Sequence, residues 1–194
     1  MNNIQRGELG RKAVHYTATL IPLIYFGFFG RLSAGIILGL LTAAIVTAEV
    51  LRMKVPACRR LYENIFGWMI RPHEFEENFT GATYVFLGSF VTVLLFPKPI
   101  AITSLLFLTL GDPTACLVGM SVGRTHISNK KTLEGAIAFL IIAIVGTLWV
   151  PGLPWRVKVA GALAACLVEV VHRKIDDNLL IPLVSATVMY MLVH

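Results

Sequence analysis

Six stretches of this chain, each 17 to 25 residues long, run almost free of Asp, Glu, Lys and Arg. They lie between Lys12 and Arg31, Arg31 and Glu49, Glu77 and Lys98, Lys98 and Arg124, and Glu134 and Arg156, and from Asn178 to His194. The fourth is interrupted only by Asp112. A bilayer core of about 30 Å takes roughly 20 mostly apolar residues of helix, so each stretch is long enough to span one. A weaker seventh, of 10 residues, lies between Lys158 and Glu169 and lengthens if Lys158 and Arg156 snorkel to the interface. The expected fold is all-α: one polytopic membrane helix bundle of seven transmembrane helices, a single domain over residues 1–194.

The loop charges give this count a direction. With the N-terminus in the cytoplasm, 13 of the 17 Lys and Arg residues fall in inner segments and 4 in outer ones. An even number of spans breaks that alternation. Charged residues make up only 14% of the chain, too few to cover a water-exposed globule, where about 25% is usual. With hydrophobic content at 56%, disorder is excluded as well. The net charge of +6 then reflects topology, and no basic block interleaved with aromatics points to nucleic acid. Cys58, Cys116 and Cys166 show no metal-binding spacing and read as buried small hydrophobes. The first stretch follows Arg11 and Lys12 as a signal peptide would, yet it is long for one and leads straight into more spans.

Between spans two and three, Leu61, Ile65, Trp68 and Met69 recur at helical spacing among Arg59, Arg60 and Glu63. That pattern predicts an amphipathic helix, lying on the inner membrane surface or packed on the bundle as a connector. Gly35 and Gly39 have the spacing of close helix packing.

Asp112 is the sharpest polar feature. An Asp at a span's centre costs roughly 2.5–3.5 kcal/mol. Pro113 removes a backbone donor, and Gly111 permits close approach, so Gly-Asp-Pro predicts a broken helix facing a polar cavity. Next come Gly119, Gly123 and Arg124, then Lys130 and Lys131 at the start of a new span. Two lysines before a helix N-terminus oppose its dipole, and a phosphate between them relieves the conflict. Thr132 is placed to cap that helix, with Glu134 in its first turn. GxxxxGK[ST] is absent, which disfavours a Walker-type nucleotidase.

Other polar groups fall at the same inner depth: Arg11, Lys12 and His15; Glu49 and Arg52; Glu74, Glu76, Glu77 and Thr80; Glu169, Asp176 and Asp177. The outer side carries few. Phosphate-binding cations and metal-binding carboxylates on one cytoplasmic side are the mixture phosphoryl transfer needs.

The residues resemble the family of dolichol kinases, phytol kinases and CTP-dependent diacylglycerol kinases. The resemblance runs over nearly the whole chain. It rests on Arg11-Lys12-x-x-His15, Thr80-Gly81-Ala82-Thr83-Tyr84, and Gly111-Asp112-Pro113-x-Ala115 followed by Gly119-x-x-x-Gly123-Arg124. It continues through Lys130-Lys131-Thr132-Leu133-Glu134-Gly135 and ends on Asp176-Asp177-Asn178. It implies a compact prokaryotic member in the inner membrane, its site facing the cytoplasm, that phosphorylates a lipid alcohol using CTP and Mg²⁺. By that resemblance Asp112, Lys131 and Asp177 are catalytic, and Asp112, Asp176 and Asp177 hold the metal, with Asp112 as ligand or base. The nucleotide is held by Arg11, Lys12, Gly119, Gly123, Arg124, Lys130, Lys131, Thr132 and Glu134. His15, Glu49, Arg52, Thr80 and Glu169 are further candidates. The middle block also resembles phosphatidate cytidylyltransferases, but the terminal motifs usual in those enzymes are missing. An anion or phospholipid transporter ranks third, because it requires polar groups on the outer side too.

Overall fold

The computed structural model describes residues 3–69, 78–128, 131–171 and 175–194. It is all-α apart from one short hairpin. The helices are α1 (Asn3–Thr17), α2 (Leu20–Phe28), α3 (Arg31–Lys54), α4 (Pro56–Phe66), α5 (Gly81–Leu95), α6 (Lys98–Leu106), α7 (Asp112–Val122), α8 (Leu133–Thr147), α9 (Trp155–Val170) and α10 (Asp177–Val193). A wide π-turn, Phe107–Gly111, joins α6 to α7, so Lys98–Val122 is one continuous rod. Strands β1 (His126–Ser128) and β2 (Lys131–Thr132) pair antiparallel before α8.

Among the described residues, two helices are long and apolar enough to cross a membrane, Arg31–Lys54 and Lys98–Val122. Gly81–Leu95, Leu133–Thr147 and Asp177–Val193 are shorter apolar helices. The rod is the bundle's axis: Leu105, Phe107 and Leu108 are wholly buried, against Phe139 of α8 and Met189 of α10 among others. Helix α3 instead lies on the outside against α5, and Gly35 and Gly39 admit the side chains of Leu94 and Phe90 as their spacing predicts. The outer surface is apolar. Leu32, Ile36 and Leu40 of α3 and Ile137, Ile141 and Val145 of α8 form exposed rows at one-turn spacing. Contiguous apolar surface on that scale is what lipid covers.

Contacts at the ends give the helix directions. At one end, Arg31 donates to Leu94 O, Lys98 Nζ to Phe26 O and Phe29 O (3.1 and 2.9 Å), and Lys158 Nζ to Thr147 O and Val150 O (2.8 and 2.6 Å). Each cation satisfies carbonyls left over at a helix C-terminus. Lys158 therefore does not snorkel outward as expected; it is buried among carbonyls that solvate it better than the interface would. At the other end lie Lys12, Glu49, Thr80, Thr132, Glu169 and Asp177.

Two details differ from the sequence expectation. The first stretch is two helices: Pro22 has no N–H and its ring excludes the Ala18 carbonyl, so the chain turns at Ala18–Thr19. Gly-Asp-Pro does not break its helix. Pro113 falls at the first turn of α7, where a missing donor is tolerated, and the π-turn before it absorbs the mismatch. The amphipathic segment forms α4 and the turn after it, with Leu61, Ile65 and Trp68 exposed.

Candidate active site

Three carboxylates and two lysines converge where α1, α7, α9, α10 and the hairpin meet. Asp112 Oδ2 accepts from Lys12 Nζ at 2.6 Å, and His15 Nδ1 lies 3.2 Å from the same oxygen. All three residues are buried. Lys12 and His15 sit three apart on α1, so one helical face presents both to Asp112. A buried charge needs such a partner. On the far side of this pair, Lys131 Nζ donates to Glu169 Oε1 at 2.5 Å and stands 3.8 Å from Asp177 Oδ2. Burial pushes the Lys131 ammonium's pKa down, but the Glu169, Asp112 and Asp177 carboxylates outweigh it and raise the pKa, keeping the ammonium charged.

The hairpin supplies Lys131. Gly119 of α7 and Gly123 just after it make room for the hairpin: a side-chain carbon at Gly123 would come within 2.7 Å of Thr132. Thr132 caps α8 as expected, its Oγ1 accepting from Gly135 N at 3.2 Å. Glu134 accepts from Thr125 N at 3.1 Å and so ties the hairpin's first strand to α8 rather than facing the pocket. The expected conflict between lysine and helix dipole is relieved here by Glu169 and Asp177. A cavity of about 140 Å³ opens beside Lys131, lined by the polar Glu169, His126 and Thr132 and by Ala115, Cys116, Met120 and Ala136 among others.

A second buried constellation occupies the same end. Glu49 Oε2 accepts from Arg52 Nη2 and Nε at 2.7 and 3.0 Å. Its Oε1 accepts from Thr80 Oγ1 at 2.7 Å and from Tyr62 OH at 3.0 Å. Arg52 also donates to Asn78 O at 2.9 Å. Burial, followed by the Glu49 charge, pushes the Tyr62 phenol up to about 12. Asn178 connects this group to the first, its Nδ2 donating to Gly81 O at 3.4 Å beside Asp176, whose Oδ1 accepts from Asn178 N at 2.9 Å. Glu49, Arg52 and Thr80 were legible as inner-side polar residues. Tyr62 and Asn78 were not, because nothing in an amphipathic repeat separates a hydroxyl that anchors from one that faces water.

Not every expected residue joins the lysine pair. Arg11 pairs with Glu8 and donates to Met69 O, fastening α1 to the turn after α4. Arg124 is exposed beside the hairpin. Lys130 lies outside the described residues, as do Glu74, Glu76 and Glu77.

Mg²⁺ takes hard oxygen ligands, commonly one or two carboxylates completed by phosphates and water. The carboxylates here have the right chemistry, but Asp112 Oδ2 is held by Lys12 and Glu169 Oε1 by Lys131. Among the described residues, no three or more His, Cys, Asp or Glu stand together as a metal site, so Asp112, Asp176 and Asp177 do not gather as the expected trio. Among the described residues the arrangement does not fit a cage built by protein alone; the carboxylates have only the donor chemistry for an ion completed by phosphates and water.

The chain has relatives among known proteins. An uncharacterized protein of Rickettsia prowazekii is 30% identical over 185 residues, covering 91% of this chain and 90% of its own. The chain belongs to that protein's family. CTP-dependent diacylglycerol kinase 1 of Schizosaccharomyces pombe is 29% identical, covering 97% of this chain and 94% of its own. The protein of the same name from Eremothecium gossypii is 25% identical over 77% of this chain and 55% of its own. The chain is thus similar over most of its length to proteins named as CTP-dependent diacylglycerol kinases. No family model and no solved structure matches the chain.

Proposed function

We propose that this protein is a membrane-embedded lipid kinase that transfers the γ-phosphate of CTP to the hydroxyl of diacylglycerol. The observation that carries the reading is similarity to a CTP-dependent diacylglycerol kinase over 97% of the chain. The buried ion-pair cluster is compatible chemistry at the polar end of an apolar bundle. In the topology we propose, seven spans run from a cytoplasmic N-terminus and the site faces the cytoplasm. Isoprenoid alcohols such as polyprenol or phytol present the same chemistry, one hydroxyl on an apolar tail, and enter as competing acceptors in the test.

In this mechanism Lys131, with Lys12 behind it, neutralises the transferring phosphoryl group, and catalysis is largely positioning. The acceptor oxygen bonds to the γ-phosphorus, the bond from that phosphorus to the bridging oxygen breaks, and CDP leaves. The hydroxyl proton passes to a neighbouring carboxylate, Glu169 or Asp177. Asp112 acts through Lys12 and His15, holding both in place. A bound Mg²⁺ supplies further charge neutralisation at the phosphates.

The test uses purified protein in detergent with Mg²⁺, a panel of lipid alcohols plus phosphatidate, and CTP labelled on either the γ- or the α-phosphate. Label reaching diacylglycerol from the γ-position alone is the expected result. Label from the α-position, arriving on phosphatidate, overturns the reading in favour of a cytidylyltransferase. γ-Label arriving on an isoprenoid alcohol and not on diacylglycerol overturns the acceptor.

A further inference from the structure

Helix α4 has a fastened side and an uncovered side. The fastened side is held at two places. Tyr62 donates to the buried Glu49 at 3.0 Å. Past the helix, Met69 O accepts from Arg11, and Gly10 of α1 leaves room for the Trp68 ring, with which a side-chain carbon at Gly10 would collide. Both anchors belong to the end of the bundle that holds the site. On the uncovered side, Leu61, Ile65 and Trp68 share one face and are 63%, 52% and 59% exposed. No residue of α4 is buried. The exposed rows of α3 and α8 run along apolar helices, whereas this row lies at the polar end, beside charge. Residues 54–69 hold three cations, Lys54, Arg59 and Arg60, against one carboxylate, Glu63. Among the described residues each arginine engages only its Nε, Arg59 with Glu63 Oε1 at 2.9 Å and Arg60 with Pro56 O at 3.4 Å. The Nη donors of both remain available to an acceptor.

Guanidiniums with open donors beside an apolar row match an anionic phospholipid at both of its ends: phosphate takes the N–H groups, and the acyl chains cover the row. Tryptophan is enriched at that depth of a bilayer. A second copy of the chain fits worse. Three side chains fall well short of the roughly 800 Å² per partner that a stable interface buries, and pairing two such faces gathers the like charges of both copies into one contact. We propose that α4 is a docking surface for anionic phospholipid, with Leu61, Ile65 and Trp68 at the boundary of the acyl chains and Lys54, Arg59 and Arg60 on headgroup phosphates. The docking does not depend on what the site transfers. Tyr62 ties α4 to Glu49, and the turn after α4 holds α1, which carries Lys12 and His15, so the same contact sets the depth of the site below the headgroups.

Trp68 is its own reporter. Trp149→Phe with Trp155→Phe leaves it the sole tryptophan of the chain. The full-length variant is reconstituted into phosphatidylcholine vesicles, and Trp68 fluorescence is titrated with brominated phosphatidylglycerol or brominated phosphatidylcholine, the bromines placed either near the headgroup or deep in the chains. Shallow bromines are expected to quench more than deep ones. Brominated phosphatidylglycerol is expected to quench with an apparent affinity at least about fivefold that of brominated phosphatidylcholine, since each net basic charge near an anionic surface contributes about that factor. Arg59→Gln with Arg60→Gln is expected to bring the ratio below about twofold, and so is salt at about 1 M, which screens charges beyond about 3 Å. Equal affinity for the two headgroups overturns the proposal. Quenching by aqueous iodide with none by either lipid places the face in water and also overturns it. Shielding from both that grows with protein density in the vesicle assigns the face to a second copy and overturns it as well.

Discussion

The Lys12–Asp112 pair is the contact whose removal the structure predicts in most detail. Nζ and Oδ2 are 2.6 Å apart, and the residues are 8% and 5% exposed. At that separation an effective dielectric of about 20 gives a gross attraction of about 6 kcal/mol. Most of that attraction is consumed by taking two charges out of water, so the pair's net worth is small while the cost of orphaning either partner is large. Lys12→Met and Asp112→Leu each keep bulk and remove a charge. Each is expected to destabilise the protein by about 3–5 kcal/mol: Lys12→Met leaves the buried Asp112 with His15 alone, and Asp112→Leu leaves Lys12 and His15 without their shared acceptor. The double variant removes both full charges, leaving only His15 without its partner, and is expected to recover more than about 2 kcal/mol relative to the sum of the singles. The assay is reversible unfolding in mixed micelles by titrated dodecyl sulfate, followed by far-ultraviolet circular dichroism and tryptophan fluorescence. Additivity within about 0.5 kcal/mol refutes the argument. So does a coupling near the mean of about 0.6 kcal/mol for polar contacts between membrane helices, which would mean that the unfolded chain finds both groups equal partners.

Three further outcomes follow from other contacts. Lys131→Ala is expected to lower γ-phosphate transfer from CTP by about 10²–10³-fold, the usual effect of losing one group that stabilises transition-state charge, with helix content and membrane insertion unchanged; wild-type turnover would remove Lys131 from the site. Tyr62→Phe deletes a hydrogen bond to a buried carboxylate and is expected to cost about 1.5–3 kcal/mol. Because the folded phenol is pushed from 10.0 up to about 12, its stabilising effect is complete below pH 10 and is lost as the pH rises through about 12. Tyrosinate absorbance should accordingly show a step near pH 12 whose amplitude falls by one tyrosine in the variant. Gly88→Ala places a carbon within 2.8 Å of the Asn178 carbonyl, the one left without a helical donor by Pro182, and is expected to destabilise the α5–α10 contact by about 1–3 kcal/mol in the same unfolding assay.

Much of the fold is legible in the chain's charge pattern, for a physical reason. A segment without charge has nothing to hold it in water, so the ends of the uncharged stretches are nearly the ends of the helices: Arg31 opens α3, Lys98 opens the rod, and Asp177 opens α10. What composition does not encode is the local backbone. Pro22 divides the first stretch, while Pro113 and Pro182 leave their helices running; Pro113 stands in a first turn, where a missing donor is tolerated, and Pro182 lies in a helix packed against α5 and α9. The candidate site was legible in part. Asp112 and Lys131 stand out as charges beside apolar stretches, and Thr132 follows from the capping rule. Their partners were not legible, because Lys12 lies 100 residues from Asp112 and Glu169 lies 38 from Lys131. Arg11, beside Lys12 in sequence, is turned by the helical repeat toward Met69.

The two ends of the bundle handle positive charge differently, and this sets the site apart from mere topology. Arg31, Lys98 and Lys158 at one end each donate to main-chain carbonyls at a helix C-terminus. Those carbonyls need a donor in the absence of water, and the cation needs an acceptor, so the contact closes on itself and leaves no charge to offer a ligand. At the other end Lys12 and Lys131 donate to carboxylates instead. A structural purpose alone would be met there by carbonyls as well, at far lower desolvation cost than a buried ion pair. Placing full opposite charges side by side, with Asp177 third in the group and a small cavity at its edge, retains groups that can exchange one partner for another. In the proposed mechanism a phosphate arriving at Lys131 replaces Glu169 as its counter-charge and frees that carboxylate to take a proton, the exchange that a phosphoryl transfer to a hydroxyl requires.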